Sequence, residues 1–173
     1  MGVLFLYSLH FTLYTYPMRI LGIDPGYDRL GIAILEKTLD GKTSVLFSEC
    51  FTTDRKDEHF MRLRAICERV GHVIHEWAPE LLAIEMLYFS KNQKTALQVA
   101  EARGALLAIC ASHGLKVREF QPAEIKIAMT GYGKADKRAV FDMVTRLIKL
   151  PHETTSDDEI DAIAVAITAS VTK

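Results

Sequence analysis

Cysteine is scarce and irregularly placed in this 173-residue chain: Cys50, Cys67 and Cys110 share no short spacing. That excludes a disulfide framework and a zinc-type pattern, and it points to a reducing cytoplasm. Long apolar runs are lacking too. Met1 to Pro17 is apolar and aromatic, but it is too short and interrupted for a membrane span. It also lacks the basic start and small-residue cleavage pattern of a signal peptide. Met18-Arg19-Ile20 reads as a natural start, so residues 1–17 are expected to be a non-native or disordered extension of a domain spanning 18–173. No Pro-, Gly- or Ser-rich linker and no repeat divides the rest. Nor is there a Cys–His or Ser–His constellation to supply a side-chain nucleophile. His10, His59, His72, His75, His113 and His152 are scattered, and only His152 lies a few residues before the pair Asp158 and Asp161.

Net charge is also nearly absent, at −1, so total charge announces no polyanion partner. Its distribution is uneven. Residues 87–138 hold nine Lys/Arg against four Asp/Glu, an excess of five positive charges. A basic middle between acidic outer thirds suits an acidic site bordered by a phosphate-binding surface. Solvated helix faces would give the same count.

With 49% apolar and 25% charged residues, the chain fits one globular α/β domain. Short apolar strands are expected at 19–24, 30–37 and 44–52, the last two joined by the Asp40-Gly41 hairpin turn. Apolar residues at three- and four-residue spacing from Phe60 to Ile74 predict a helix over 57–77. A strand over 81–85, a helix over 92–113, a strand over 115–120 and helices over 122–129, 134–149 and 156–171 follow. The order βββαβαβααα predicts a mixed five-stranded sheet with helices on both faces.

Carboxylates punctuate this pattern. Asp24 ends the apolar run Ile20-Leu21-Gly22-Ile23, and Glu85 ends Leu81-Leu82-Ala83-Ile84. A strand-end carboxylate is unfavourable in a core unless something pairs it. Asp158 and Asp161 are three apart and share one face of the last helix, with Asp157 competing for the role. Each has a simpler reading: Asp24 capping its own turn, Glu85 facing solvent, and Asp157, Asp158 and Glu159 complementing a helix N-terminus. Taken together, four carboxylates suggest a hard divalent cation, Mg²⁺ first. Two such ions would clamp both oxygens of an in-line displacement at a phosphodiester.

Five segments in order resemble the RuvC family of bacterial Holliday junction resolvases. They are Gly22-Ile23-Asp24-Pro25-Gly26, Ala83-Ile84-Glu85, Ala102-Arg103-Gly104, Thr130-Gly131-Tyr132-Gly133-Lys134-Ala135-Asp136-Lys137 and Asp158-Glu159-Ile160-Asp161-Ala162-Ile163-Ala164. The resemblance runs from about Met18 to the C-terminus. It implies an RNase H-like fold, a homodimer, and metal-dependent paired nicking of four-way junction DNA in recombination and repair. It also implies Asp24, Glu85, Asp158 and Asp161 as ligands of two Mg²⁺, with Mn²⁺ as a substitute, and Lys126 and Lys137 beside the scissile phosphate. Tyr88 or Phe89 would stack in the junction, and Lys91, Lys94, Lys134 and Arg138 would contact DNA. A branch-migration helicase complex is an expected partner; a membrane is not.

Three alternatives stand beside it. The same acids could serve a nuclease acting on RNA–DNA hybrids or other branched DNA. The scaffold could bind junctions without cutting. Gly22 to Asp28 also resembles the first phosphate loop of sugar kinases and actin-like ATPases, but no Gly-rich second loop accompanies it.

Overall fold

A computed structural model describes residues 17–87, 93–150 and 156–172, with side chains at 93–95 left aside. Three antiparallel strands come first: β1 (Met18–Asp24), β2 (Arg29–Lys37) and β3 (Thr43–Thr52). Helix α1 (His59–Trp77) leads to β4 (Leu81–Glu85), and α2 (Gln93–Ser112) leads to β5 (Lys116–Phe120). Then come α3 (Pro122–Thr130), α4 (Lys137–Leu147) and α5 (Asp157–Val171). The sheet order is β3-β2-β1-β4-β5, with β4 parallel to both β1 and β5. The mixed five-stranded sheet expected from the element order is the one observed.

Side chains alternate across this sheet with the strand period of two. Leu21, Ile23, Ile32, Ile34, Leu82 and Ile84 pack beneath Ile66 and Val70 of α1 and Ala102 and Leu106 of α2. On the other face, Ile20, Ala33, Leu35, Leu81 and Ala83 meet α5, with Ile125 of α3 and Val140 and Val144 of α4. Both faces are therefore covered by helices. Helix α5 is buried nearly all round from Glu159 to Ser170, as expected of a helix wedged between a sheet and two other helices.

Two glycines let α5 lie that close. A Cβ on Gly22 would fall 2.3 Å from the Ala162 carbonyl oxygen, and one on Gly31 would fall 1.9 Å from that of Asp158. Any side chain at either position would lift the start of α5 off the sheet. Gly26 does not adopt a positive φ. Its constraint is space: a Cβ there would meet the Arg29 carbonyl oxygen at 1.7 Å.

Helix α4 starts three residues later than its periodicity suggested. Asp136 caps it, accepting from the Ala139 N–H at 2.8 Å, so Lys134 lies in the preceding turn rather than on the helix. Residues 1–16, most of the expected extension, lie outside the described residues. So do Tyr88, Phe89, Lys91 and His152.

Candidate active site

The site grows from three backbone ends. On β1, alternation puts Ile20, Gly22 and Asp24 on the α5 face; on β4 it does the same for Leu81, Ala83 and Glu85. The parallel register pairs Gly22 with Ala83 and Ile23 with Ile84. Its next step sets Asp24 beside Glu85 on strands about 5 Å apart. Asp161 immediately precedes Ala162, whose carbonyl rests over Gly22. Carboxylates from β1, β4 and α5 thus meet at the C-terminal end of two parallel strands, where open α/β sheets place their ligands.

They line one cleft of about 270 Å³, together with Lys126, Lys137, Pro122, Ile125, Val140 and Val165. Lys137 donates to Asp161 Oδ2 at 3.1 Å. Glu85 is steadied through its backbone: Arg103 Nε donates to the Glu85 carbonyl at 3.1 Å and also pairs with Glu119. Beyond Glu85, the Met86 N–H reaches the Phe120 carbonyl at 2.8 Å.

The electrostatics reveal unrelieved negative charge. Burial pushes the Asp24 carboxyl up to about 8, and Asp161, Glu85 and Asp158 push the same way, while Lys137 opposes them. Burial likewise raises Glu85, helped by Asp161 and opposed by Lys137 and Lys126. Asp161 is raised by burial against the pull of its bond to Lys137. Burial works against the Lys137 charge, but the hydrogen bond and field of Asp161 and the field of Asp24 lift its pKa above the usual lysine range.

Asp158 stands apart from the other three. Its Oδ2 lies 2.6 Å from Arg29 Nη2 and 3.6 Å from the Cys50 Sγ, and it does not line the cleft. Asp157 is exposed on the rim, where it shares an outer cavity with Lys137, Arg138, Phe141 and Asp142. Among the described residues, no three His, Cys, Asp or Glu side chains close on a single metal-sized point. The fourfold cage expected from the sequence is therefore three acids in a cleft and a fourth held at its edge by an arginine. Arg29 was missed because it lies outside the basic 87–138 stretch. Its place at the start of β2, five residues after Asp24, was the available signal.

Comparison with known proteins follows this geometry. Residues 20–169 match the family model described as crossover junction endodeoxyribonuclease RuvC. The chain belongs to the RuvC family. The RuvC of Thermosipho melanesiensis is 42% identical over 149 residues, covering 86% of this chain and 94% of that protein. The solved RuvC of Thermus thermophilus superposes with a TM-score of 0.78 at 31% identity, covering 88% of this chain and 94% of that one. A second T. thermophilus RuvC structure, in complex with a Holliday junction substrate, gives the same TM-score of 0.78 at 28% identity, with coverage again 88% and 94%. The fold is accordingly the RNase H-like one that the RuvC resemblance implied.

Proposed function

We propose that this RuvC-family protein resolves four-way DNA junctions, nicking two opposed strands to leave 5′-phosphate and 3′-hydroxyl ends. The observation that carries this reading is the joining of Asp24, Glu85 and Asp161 with Lys126 and Lys137 in one cleft on a RuvC chain. The solved relative bound to a Holliday junction supports the choice of substrate.

The donor set fits a hard divalent cation. Every candidate ligand is a carboxylate, and the burial and neighbouring acids that push Asp24 upward are both what a bound cation would offset. Asp24, Glu85, Asp161 and Asp158 would hold Mg²⁺, two ions per site, with Mn²⁺ able to replace it. Bound there, such ions supply Lewis-acid activation of water and stabilisation of the leaving oxygen.

The chain's own residues do the rest. Lys137 and Lys126 border the acids and can take a non-bridging phosphate oxygen, holding the backbone in line and stabilising its developing charge. Val140, Val165 and Ile125 wall the cleft with apolar surface, which strengthens those charge contacts. Lys134 and Arg138, both exposed near the start of α4, extend the positive border. Tyr88 or Phe89, three and four residues beyond the end of β4 in sequence, would stack on a base.

A twofold dimer would present two sites to opposed strands. Ala100, Gly104 and Ala108 recur at one-turn spacing on α2, opposite its buried Ala102, Leu106 and Cys110. A Cβ on Gly104 would meet nothing within 4 Å, and Leu97 is 65% exposed, so this face has room for a second helix. The branch-migration helicase complex is the further partner we assign to this reading. No described helix is long and apolar enough to cross a membrane.

The test is nicking of a labelled four-way junction, compared with an RNA–DNA hybrid. Paired nicks on the junction support the reading, and cleavage of the hybrid alone would move the substrate to RNA–DNA.

A further inference from the structure

A second cleft, of about 280 Å³, includes the turn that follows Asp24 and shares no lining residue with the acidic one. Tyr27, Asp28, Arg29 and Arg55 line it. Its charges are unevenly matched. Asp28 already pairs with Arg62, which is 7% exposed and lies 3.8 Å from the centre of the Tyr27 ring. Arg62 also donates to Thr53 Oγ1 at 2.7 Å, so it is fixed inside the fold. Arg55 is the second guanidinium on the same carboxylate, at 2.9 Å, with a side chain 79% exposed. One carboxylate thus carries two arginines, and the outer one keeps most of its donors facing solvent.

Arg29 occupies the wall between this cleft and the acids. Its Nη2 reaches Asp158 at 2.6 Å and donates to Ser156 Oγ at 3.0 Å, while its side chain remains 53% exposed. The arrangement mirrors the other flank, where Lys137 holds Asp161 and also lines an outer cavity. Asp158 and Asp161 are therefore each held by a cation that opens onto its own outer cavity.

We propose that Arg29 and Arg55 form a second phosphate-binding site for the DNA backbone, and that Arg29 passes from Asp158 to a phosphate when the strand arrives. A guanidinium has five donors in a planar fork that suits a phosphate, and a half-exposed ion pair exchanges readily for one. The exchange involves no bond making or breaking. It frees the Asp158 carboxylate to turn toward the cleft as the strand arrives, so DNA binding and cation binding favour each other. Arg29 is thus a positioning residue for Asp158 and a direct ligand of DNA. This deepens the junction-nuclease reading and rests on it for the identity of the strand.

The experiment uses full-length wild type, Arg29→Gln, Arg55→Gln and Arg29→Lys, each checked for folding by circular dichroism. Affinity for a labelled four-way junction and for a linear duplex is measured in EDTA across KCl concentrations. Each Gln variant should lower the slope of log affinity against log salt by about 0.9, the loss of one phosphate contact. Arg29→Lys should restore that slope. Separately, MgCl₂ titrations of melting temperature without DNA should show a midpoint about two- to fivefold lower in Arg29→Gln than in wild type, because Asp158 has lost a competing surface cation. An unchanged salt slope in Arg29→Gln would overturn the phosphate site. An unchanged or higher Mg²⁺ midpoint would overturn the exchange at Asp158. If wild type prefers the duplex to the junction, the junction reading fails, while the slopes on duplex still decide the role of both arginines.

Discussion

Replacing Asp24 by Asn should make the metal-free protein more stable at pH 8 while abolishing nicking. Burial and three neighbouring carboxylates raise the Asp24 carboxyl from 3.8 to about 8. Between those values the folded state keeps a proton that the unfolded chain releases. The folded state then binds more protons, so stability falls as pH rises through that window. A shift of about four units corresponds to about 6 kcal/mol as an upper bound once Asp24 is fully ionised. Solvent screening at an open cleft reduces this to about 2 kcal/mol at pH 8. For a chain of this size that is a rise of about 4–8 °C in melting temperature. Asn keeps the shape and cannot ionise, so the advantage should shrink as pH falls and approach zero near 3.8, where Asp24 is protonated in both states. Excess Mg²⁺ should reverse the order by stabilising wild type more than the variant. Scanning calorimetry at pH 4 and pH 8, in EDTA and in Mg²⁺, reads all four conditions. An Asn variant less stable than wild type at pH 8 in EDTA, or a gap independent of pH, would refute the reasoning.

Other changes separate chemistry from binding and from fold. Glu85→Gln should reduce nicking below detection yet leave junction affinity equal or higher in a gel-shift assay, since it removes negative charge next to phosphates. Lys137→Ala should slow single-turnover cleavage by about 100-fold, in the range for loss of one donor to developing charge, while weakening binding less than tenfold. Gly31→Ala should lower stability by about 3 kcal/mol in urea unfolding, because its methyl meets the Asp158 backbone rather than a yielding side chain. The same variant should lose nicking even where it remains folded, since the start of α5 carries Asp158 and Asp161.

The sheet was legible because its signals are local. Apolar runs ending in Asp24 and Glu85, the Asp40-Gly41 turn and the spacing within α1 each depend on neighbours a few residues away. The element order then restricted the topology, since helices before β4 and β5 make parallel pairing the natural outcome. What failed was finer. The start of α4 moved because the Asp136 side chain competes for the first free N–H groups, overriding the helical preference of Lys134 and Ala135. The need for Gly31 was hidden because it arises from the Asp158 backbone, 127 positions away. At the site, alternation along β1 and β4 made convergence of Asp24 and Glu85 readable. The Arg29–Asp158 pair was not readable, because only the seating of α5 on Gly22 and Gly31 brings them together.

The most direct measurement is cleavage of a labelled four-way junction by wild type and Asp24→Asn, in Mg²⁺ and in EDTA, beside a linear duplex and an RNA–DNA hybrid. Symmetric paired nicks confined to the junction, absent in EDTA and in the variant, are the expected result. Nicking that persists in EDTA or in Asp24→Asn would contradict the assignment of these carboxylates to a metal-assisted junction nuclease.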